Sequence, residues 1–502
     1  MRHAGPQGGI LLTRSRLFAG CEPEIAAGSD GRILAVGQSA RAAAGWDAEV
    51  VELAGQTLPG LADAHLHLEW MARLKLEVAL AGARSLEEAL DRVRSSARLL
   101  PADGWVTGRG WYQDGWPGSQ LPHRRHLDEA AGGRPAFLVR KDGHSAWLSS
   151  AALAAAGIRR NTPDPPGGVI DRDDRGNPTG IVREAVVDAL QRLVPRPTPE
   201  RLDGAMNAVL RDLGRLGLTS VHSMDAPAAF ASLSRLHARR PLPVRVTWNL
   251  PASRVEHAER LGLRAGLGDG RLRIWGVKAF LDGSLGSRTA EMLDGSGVPV
   301  LPQDELVDLA RRCAAAGLNL CLHAIGDGAV RRALDALEPL AGAWPGWRPR
   351  IEHAQCVDPA DVPRFRAAGA IASMQPIHAV SDREVADREW GERVRGAYAW
   401  RSLLDAGAVL AFGSDAPVES ADPLLGIDAA TGWRRRAGWH PDLALTRAAA
   451  LRAYTWGAAY AVGMEDRLGR LRPGLLCDLT VVGEGGVTAT VVGGSVTWAA
   501  GG

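Results

Sequence analysis

The chain has 502 residues, 46% hydrophobic and 23% charged, which is enough apolar material for one large domain with additions or for two to three smaller ones. A formal net charge of +2, with no basic block and no interleaving of aromatic and basic residues, excludes nucleic acid as an expected partner. No apolar run approaches the roughly 20 residues a membrane-crossing helix needs, and Arg14 and Arg16 interrupt the only apolar start near the N-terminus, so neither a membrane anchor nor a leader is expected. Five widely spaced cysteines (Cys21, Cys313, Cys321, Cys356 and Cys477), none in a Cys-x-x-Cys pair, argue against a disulfide framework and for a cytoplasmic location.

In chain order, residues 8–56 alternate short apolar runs with turn residues, Asp30-Gly31 among them, which is a hairpin signal. The same texture returns after residue 465, where Gly485-Gly486 and Gly493-Gly494 separate valine-rich runs. Residues 1–56 and 465–502 are therefore predicted to build one small β-sandwich. Between them, strand-like runs alternate with helical stretches. The candidate strands are 57–67, 218–224, 244–250, 272–281, 318–323, 350–353, 370–375 and 408–413, and eight of this kind predict a (β/α)8 barrel over 57–464. A ninth run, Ala136–Arg140, falls in 70–205, which is too long for an ordinary βα connection. That segment is predicted to be an inserted subdomain, left through a proline-rich exit at Pro195, Pro197 and Pro199.

Chemistry collects at the strand ends. Residues i and i+2 of a strand share a side, so His65 and His67 project together, as paired imidazole ligands do. Lys278 stands late in the fourth strand, His323 and His353 end the fifth and sixth, and Asp415 follows the eighth. Barrel enzymes place their chemistry at this end. Four histidines, one lysine and one aspartate there supply ligands suited to zinc or a similar divalent metal. The insertion carries Trp105, Trp111, Trp116 and Trp147, expected to offer an apolar wall to a substrate, with ordinary packing as the alternative. Cys321 shares the inward direction of His323 and is expected to be core.

Several stretches give the chain a family likeness. They include Pro59-Gly-Leu-Ala-Asp-Ala-His65-Leu-His67, Lys141-Asp-Gly-His144, Lys278-Ala-Phe-Leu-Asp282 and His323-Ala-Ile-Gly-Asp327. Ile351-Glu-His353-Ala-Gln, Ser373-Met-Gln-Pro376-Ile-His378, Gly413-Ser-Asp415-Ala-Pro417 and the terminal Gly474-Leu-Leu-Cys-Asp478 complete them. With these motifs the chain resembles the amidohydrolase superfamily, in the family 3 branch that includes N-substituted formamide deformylases. The resemblance implies one metal on His65, His67 and Asp415, a second on His323 and His353, and a carboxylated Lys278 bridging them. It also implies an activated water with Asp415 as general base and acid, and His353 or the second metal polarising the carbonyl. A lysine paired with Asp282 or Asp415 is the plainer reading of Lys278. Glu184 is a second candidate acid, its plainer reading being an exposed glutamate at a helix start. Trp111, His144, Glu184, His222, Asp282 and His378 are candidate substrate contacts. The implied activity is hydrolysis of an amide-type C–N bond in a small N-formyl or N-acyl amine, with a homodimer as the expected assembly. Two readings stand beside it: an aminohydrolase or cyclic amidase acting on a ring, and a non-catalytic metal-binding barrel.

Overall fold

The computed structural model describes residues 9–17, 24–45, 47–101 and 103–501. They divide into two units, one taking the chain up to Met71 and from Met206 onward, the other Ala72–Ala205.

The larger unit contains an eight-stranded parallel sheet. In chain order its strands are Leu61–Leu66, Leu218–Ser223, Arg245–Pro251, Leu272–Phe280, Asn319–Ala324, Arg350–His353, Ile371–Met374 and Leu410–Phe412, each beside the next. Their side chains are buried almost without interruption, as expected of strands covered by helices on one side and closed on themselves on the other. The connecting helix Gln303–Ala316 shows how the cover forms. Leu306, Leu309, Ala310 and Cys313 fall at the i, i+3, i+4, i+7 spacing of one face, and those are its buried residues. The first and last strands meet through a parallel bridge between Leu66 and Ala416, with the Asp415 amide donating to the His65 carbonyl and the His67 amide to that of Ala416. The result is the (β/α)8 barrel read from the sequence.

The run 57–67, read as one strand, is two. Glu49–Pro59 belongs to a different sheet, and the barrel starts at Leu61. The break lies at Gly60, whose amide donates to the Asp478 carbonyl. A Cβ there would stand 2.3 Å from Thr219 Oγ1, so only glycine lets the chain pass this close to the second barrel strand.

Both terminal segments enter one seven-stranded sheet. It runs from Ser495–Ala499 through Gly486–Val492, Leu479–Gly483, Glu49–Pro59, Ile10–Leu17 and Ile25–Ala27 to Ile33–Val36. Its core joins Ile10, Leu12, Ile25 and Ile33 from one end of the chain with Cys477, Leu479, Val481 and Val491 from the other. Arg245 of the third barrel strand makes a buried bidentate pair with Asp478, at 2.7 and 2.8 Å, tying this sheet to the barrel. Cys21 lies outside the described residues; the other four cysteines are buried free thiols. Among the described residues no helix is long and apolar enough to cross a membrane.

The second unit has a six-stranded mixed sheet built on Val106–Trp111, Ala136–Arg140, Ser145–Leu148 and Pro178–Glu184. Alternation along a strand sends successive side chains to opposite faces. Leu138, Trp111 and Trp147 therefore pack with helices Leu86–Ala97 and Arg124–Ala130, while Phe137, Val139 and Leu148 pack with Ser150–Ala155 and Ala185–Gln191.

Candidate metal centre

The ends of the barrel strands bring together His65, His67, Lys278, His323, His353 and Asp415. His65 is the penultimate residue of its strand and His67 follows that strand. Asp415 stands just past the eighth strand in the left-handed region, with φ of 60°. His353 ends the sixth strand with φ of 71°, also left-handed. Such conformations are disfavoured for residues with a Cβ and persist where surrounding structure enforces them. At Asp415 the enforcement is visible. The buried Asp63 carboxylate accepts from Ser414 Oγ at 2.5 Å, from the Ser414 amide at 3.1 Å and from the His65 amide at 2.9 Å. Burial pushes the Asp63 carboxyl up to about 7 despite these bonds. Gly413 is needed for the approach: a Cβ on it would lie 2.5 Å from the His65 nitrogen.

Asp415 Oδ1 lies 3.0 Å from His67 Nε2 and 3.6 Å from His65 Nε2. The ligand atoms of these three residues all fall within 4.8 Å of one another. Ligands at about 2.0–2.2 Å from a tetrahedral metal stand roughly 3.4 Å apart, a spacing that the observed distances bracket. His65 Nδ1 is 2.7 Å from Glu352 Oε2. A carboxylate only accepts, so Nδ1 carries the proton and Nε2 keeps its lone pair towards Asp415. His323 is set by the same logic: Nε2 donates to the Gly283 carbonyl at 2.9 Å, leaving Nδ1 unprotonated. Its ring centroid is 4.5 Å from that of His353, which is 4.8 Å from that of His65.

Three buried polar atoms in this cluster have no hydrogen-bond partner: His65 Nε2, His353 Nδ1 and Lys278 Nζ. Leaving such atoms unmatched costs roughly 1–3 kcal/mol each, and a divalent metal with a carboxylated lysine is the kind of group that would satisfy all three. Lys278 Nζ makes no hydrogen bond to Asp282 or Asp415. Burial lowers its amine below the usual lysine range. Burial, then the nearby Lys278 charge, takes His65 down to about 4 and His323 to about 3. For Asp415 burial pushes the carboxyl up, but the His67 hydrogen bond and the neighbouring imidazoles outweigh it and hold the group below the usual carboxylate range. The donor set fits a divalent metal.

Of the expected substrate contacts in the larger unit, two stand beside the cluster: Asp282, whose Oδ1 lies 3.6 Å from His323 Nε2, and His378. His378 Nε2 lies 3.9 Å from Asp415 Oδ2, with Nδ1 3.3 Å from Gln355 Nε2. The Asp282 carboxylate also accepts the amides of Ile325, Gly326 and Glu291, and so anchors the loops after the fourth and fifth strands. His222 is enclosed in the barrel, its Nδ1 accepting from Arg350 at 3.0 Å. Cys321 is core, with Sγ 3.6 Å from Asn249 Oδ1.

Trp111 is fully buried in the second unit. Its Nε1 donates to the Leu138 carbonyl at 2.8 Å and its ring meets Trp147 edge-on, so it is a core residue and not a substrate wall. In the same unit His144 and Glu184 form an exposed pair at 3.0 Å. Glu184 precedes helix Ala185–Gln191 at φ of 54° and makes no capping bond.

Sequence reasoning missed Glu352, Arg350, Asp63 and Asp225, whose Oδ1 lies 3.9 Å from His67 Nδ1. The signal was the pleat: Asp63 is two residues before His65, and Arg350 two before Glu352. It also missed two aromatics beside the cluster. Trp70 is 40% exposed with its ring 6.2 Å from His67, and Phe280 is 48% exposed with its ring 5.1 Å from His323.

The sequence matches the amidohydrolase family over residues 49–497. It is 33% identical to the Arabidopsis thaliana protein LONG AFTER FAR-RED 3, over 98% of this chain and 92% of that one. It is 30% identical to an N-substituted formamide deformylase of Arthrobacter pascens, over 90% and 89%. A metal-dependent hydrolase from Pyrococcus furiosus superposes with a TM-score of 0.79 at 31% identity, covering 93% of this chain and 97% of that one. On that match and on the histidine–aspartate cluster at the barrel mouth, the chain belongs to the amidohydrolase family and is a hydrolase of the metal-dependent kind.

Proposed function

We propose that the protein hydrolyses an amide-type C–N bond in a small N-formyl or N-acyl amine with an apolar substituent on nitrogen. The observation that carries this reading is the convergence of His65, His67 and Asp415 with His323, His353 and Lys278. His65, His67 and Asp415 would hold one zinc ion, and His323, His353 and a carboxylated Lys278 a second. A bound divalent metal supplies Lewis acidity, which acidifies a water and polarises a carbonyl.

The chain's own groups do the rest. Asp415, kept ionised by His67 and its neighbours, is a base that takes the proton of the attacking water and returns it to the departing nitrogen. His378, close to Asp415 Oδ2, is placed to hold that proton's path. Burial without a hydrogen bond shifts the Lys278 amine towards the neutral form that attacks carbon dioxide, forming an N–C bond and releasing a proton. Trp70 and Phe280 flank the cluster with half-exposed rings, an apolar surround suited to a hydrophobic nitrogen substituent.

The test is metal content measured together with turnover of a panel of N-alkyl and N-aryl formamides, longer N-acyl amines and cyclic amides. Turnover of the open-chain amides by zinc-loaded protein is expected. Preference for the cyclic amides would overturn the substrate reading, and a metal-replete protein inert on every class would overturn the catalytic one.

A further inference from the structure

Beneath the candidate ligands lies a charged network that the hydrolytic reading does not use. Arg350 and Glu352 are both completely enclosed in the barrel. Arg350 Nε is 2.8 Å from Glu352 Oε1, and one terminal nitrogen donates to Oε2 at 3.2 Å. That nitrogen also donates to Ser373 Oγ at 2.8 Å and to the Ala64 carbonyl, while the other donates to His222 Nδ1 at 3.0 Å. The guanidinium is a rigid planar fork. Here it is fixed by groups from the first, second, sixth and seventh barrel strands. Its charge fixes Glu352 in turn, and the carboxylate's Oε2 faces His65 Nδ1 at 2.7 Å.

Burying two full charges in a barrel interior is costly, and a buried pair is often no more stabilising than apolar residues of the same volume. The arrangement therefore calls for a reason other than stability. Its output is the proton on His65 Nδ1, which leaves Nε2 as a lone pair aimed at Asp415.

We propose that Glu352, clamped by Arg350, is a positioning residue that sets the tautomer and ring plane of His65 for metal binding. This rests on the metal reading of the site. A carboxylate behind a ligating imidazole raises its basicity as well as orienting it. Glu352→Gln preserves shape but offers one acceptor oxygen. Arg350 has only donors and claims that oxygen, so the amide NH2 turns to His65 and donates to Nδ1. The proton moves to Nε2, where it blocks the metal.

The experiment compares wild type, Glu352→Gln and Asp478→Asn, the last breaking the remote buried Arg245–Asp478 pair as a control for general destabilisation. Zinc affinity is measured by competition with a chromophoric chelator, unfolding by heat, and the His65 tautomer by nitrogen-15 NMR on metal-free, histidine-labelled protein. Glu352→Gln should weaken zinc binding about 10- to 100-fold and shift the His65 proton from Nδ1 to Nε2. Asp478→Asn should lower the melting temperature and leave both unchanged. Equal affinity and tautomer in Glu352→Gln and wild type would overturn the proposal, as would equal loss of affinity in both variants. If Glu352→Gln does not fold, the wild-type spectrum decides alone, since a proton on His65 Nε2 overturns it. Failure of wild type to bind zinc would instead refute the metal reading, with the tautomer comparison still testing the role of Glu352.

Discussion

Asp415→Asn separates a catalytic carboxylate from one that merely completes a shape. The amide has nearly the same volume, so the enclosed geometry around His65, His67 and His378 has no cavity to fill. What changes is charge and basicity. The 3.0 Å contact with His67 loses its charge assistance, a bond of the kind worth about 1.5–3 kcal/mol. That loss is partly offset because a mostly buried anion is no longer kept from water, so the fold should survive with a modest shift in melting temperature. The rate should fall much further. Removing a positioned acid–base group costs about 10²- to 10⁴-fold, equivalent to about 3–5 kcal/mol of barrier. One oxygen donor of the three-residue cluster is weakened while the imidazoles of His65 and His67 remain, so bound metal should drop by less than turnover. The assay is turnover of the best amide and metal content in one preparation. Unchanged turnover would remove Asp415 from the mechanism. A loss of turnover that tracks metal content alone would reduce it to a ligand.

Three further outcomes are expected. Gly413→Ala puts a Cβ 2.5 Å from the His65 nitrogen and 2.6 Å from Asp63 Oδ1, so calorimetry should find it destabilised by about 1–3 kcal/mol and metal titration should find it weaker; no change in either would refute the close approach of the eighth strand to the first. Trp70→Ala and Phe280→Ala should each raise KM about tenfold or more for amides with large apolar substituents, with little effect on N-methylformamide, and an equal effect on both would refute the apolar subsite. Asp269 is pushed up by burial but held down more strongly, to about 2, by the amides of Leu272 and Arg271 and by His237. Its folded value lies below the unfolded one of about 3.9, so its stabilisation is complete above that pH and lost as pH falls through about 2. NMR should show the Arg271 and Leu272 amides losing their hydrogen bonds in that window, and Asp269→Asn should abolish the step.

The barrel was legible because its strands are covered on both faces and read as apolar runs, five of them with a residue of conspicuous chemistry at or near the end. His65, His67, Lys278, His323, His353 and Asp415 stood out through type and position together. Glu352 did not, because an acid inside a strand carries no sign of its partner until Arg350 and His65 are seen around it. Trp111 and Trp147 misled for a related reason. An aromatic beside a turn has the same local sequence whether it faces its own core or a ligand, and only the pleat of the neighbouring strands decides. The break at Gly60 was hidden because it is imposed by Thr219 and Asp478, residues remote in sequence. Asp282 stood out as a substrate contact, but its bonds to the backbone amides of two loops could not be read, because they depend on where those loops pass.

The seven-stranded sheet has a consequence for the order in which the chain can fold on the ribosome. The Leu61 amide donates to Thr480 Oγ1 across 419 residues, and the core under Ile10, Leu12 and Ile33 is completed by Leu479, Val481 and Val491. Closing a loop of that length costs about 5 kcal/mol in chain entropy, and the partner strand is synthesised about 400 residues later. Until that strand is made, Glu49–Pro59 therefore presents a strand edge still waiting for Leu479–Gly483. Exposed edges of this kind invite pairing with other chains. The nascent protein depends on holding that edge apart from its neighbours until its partner strand arrives, which makes that interval a stage exposed to aggregation.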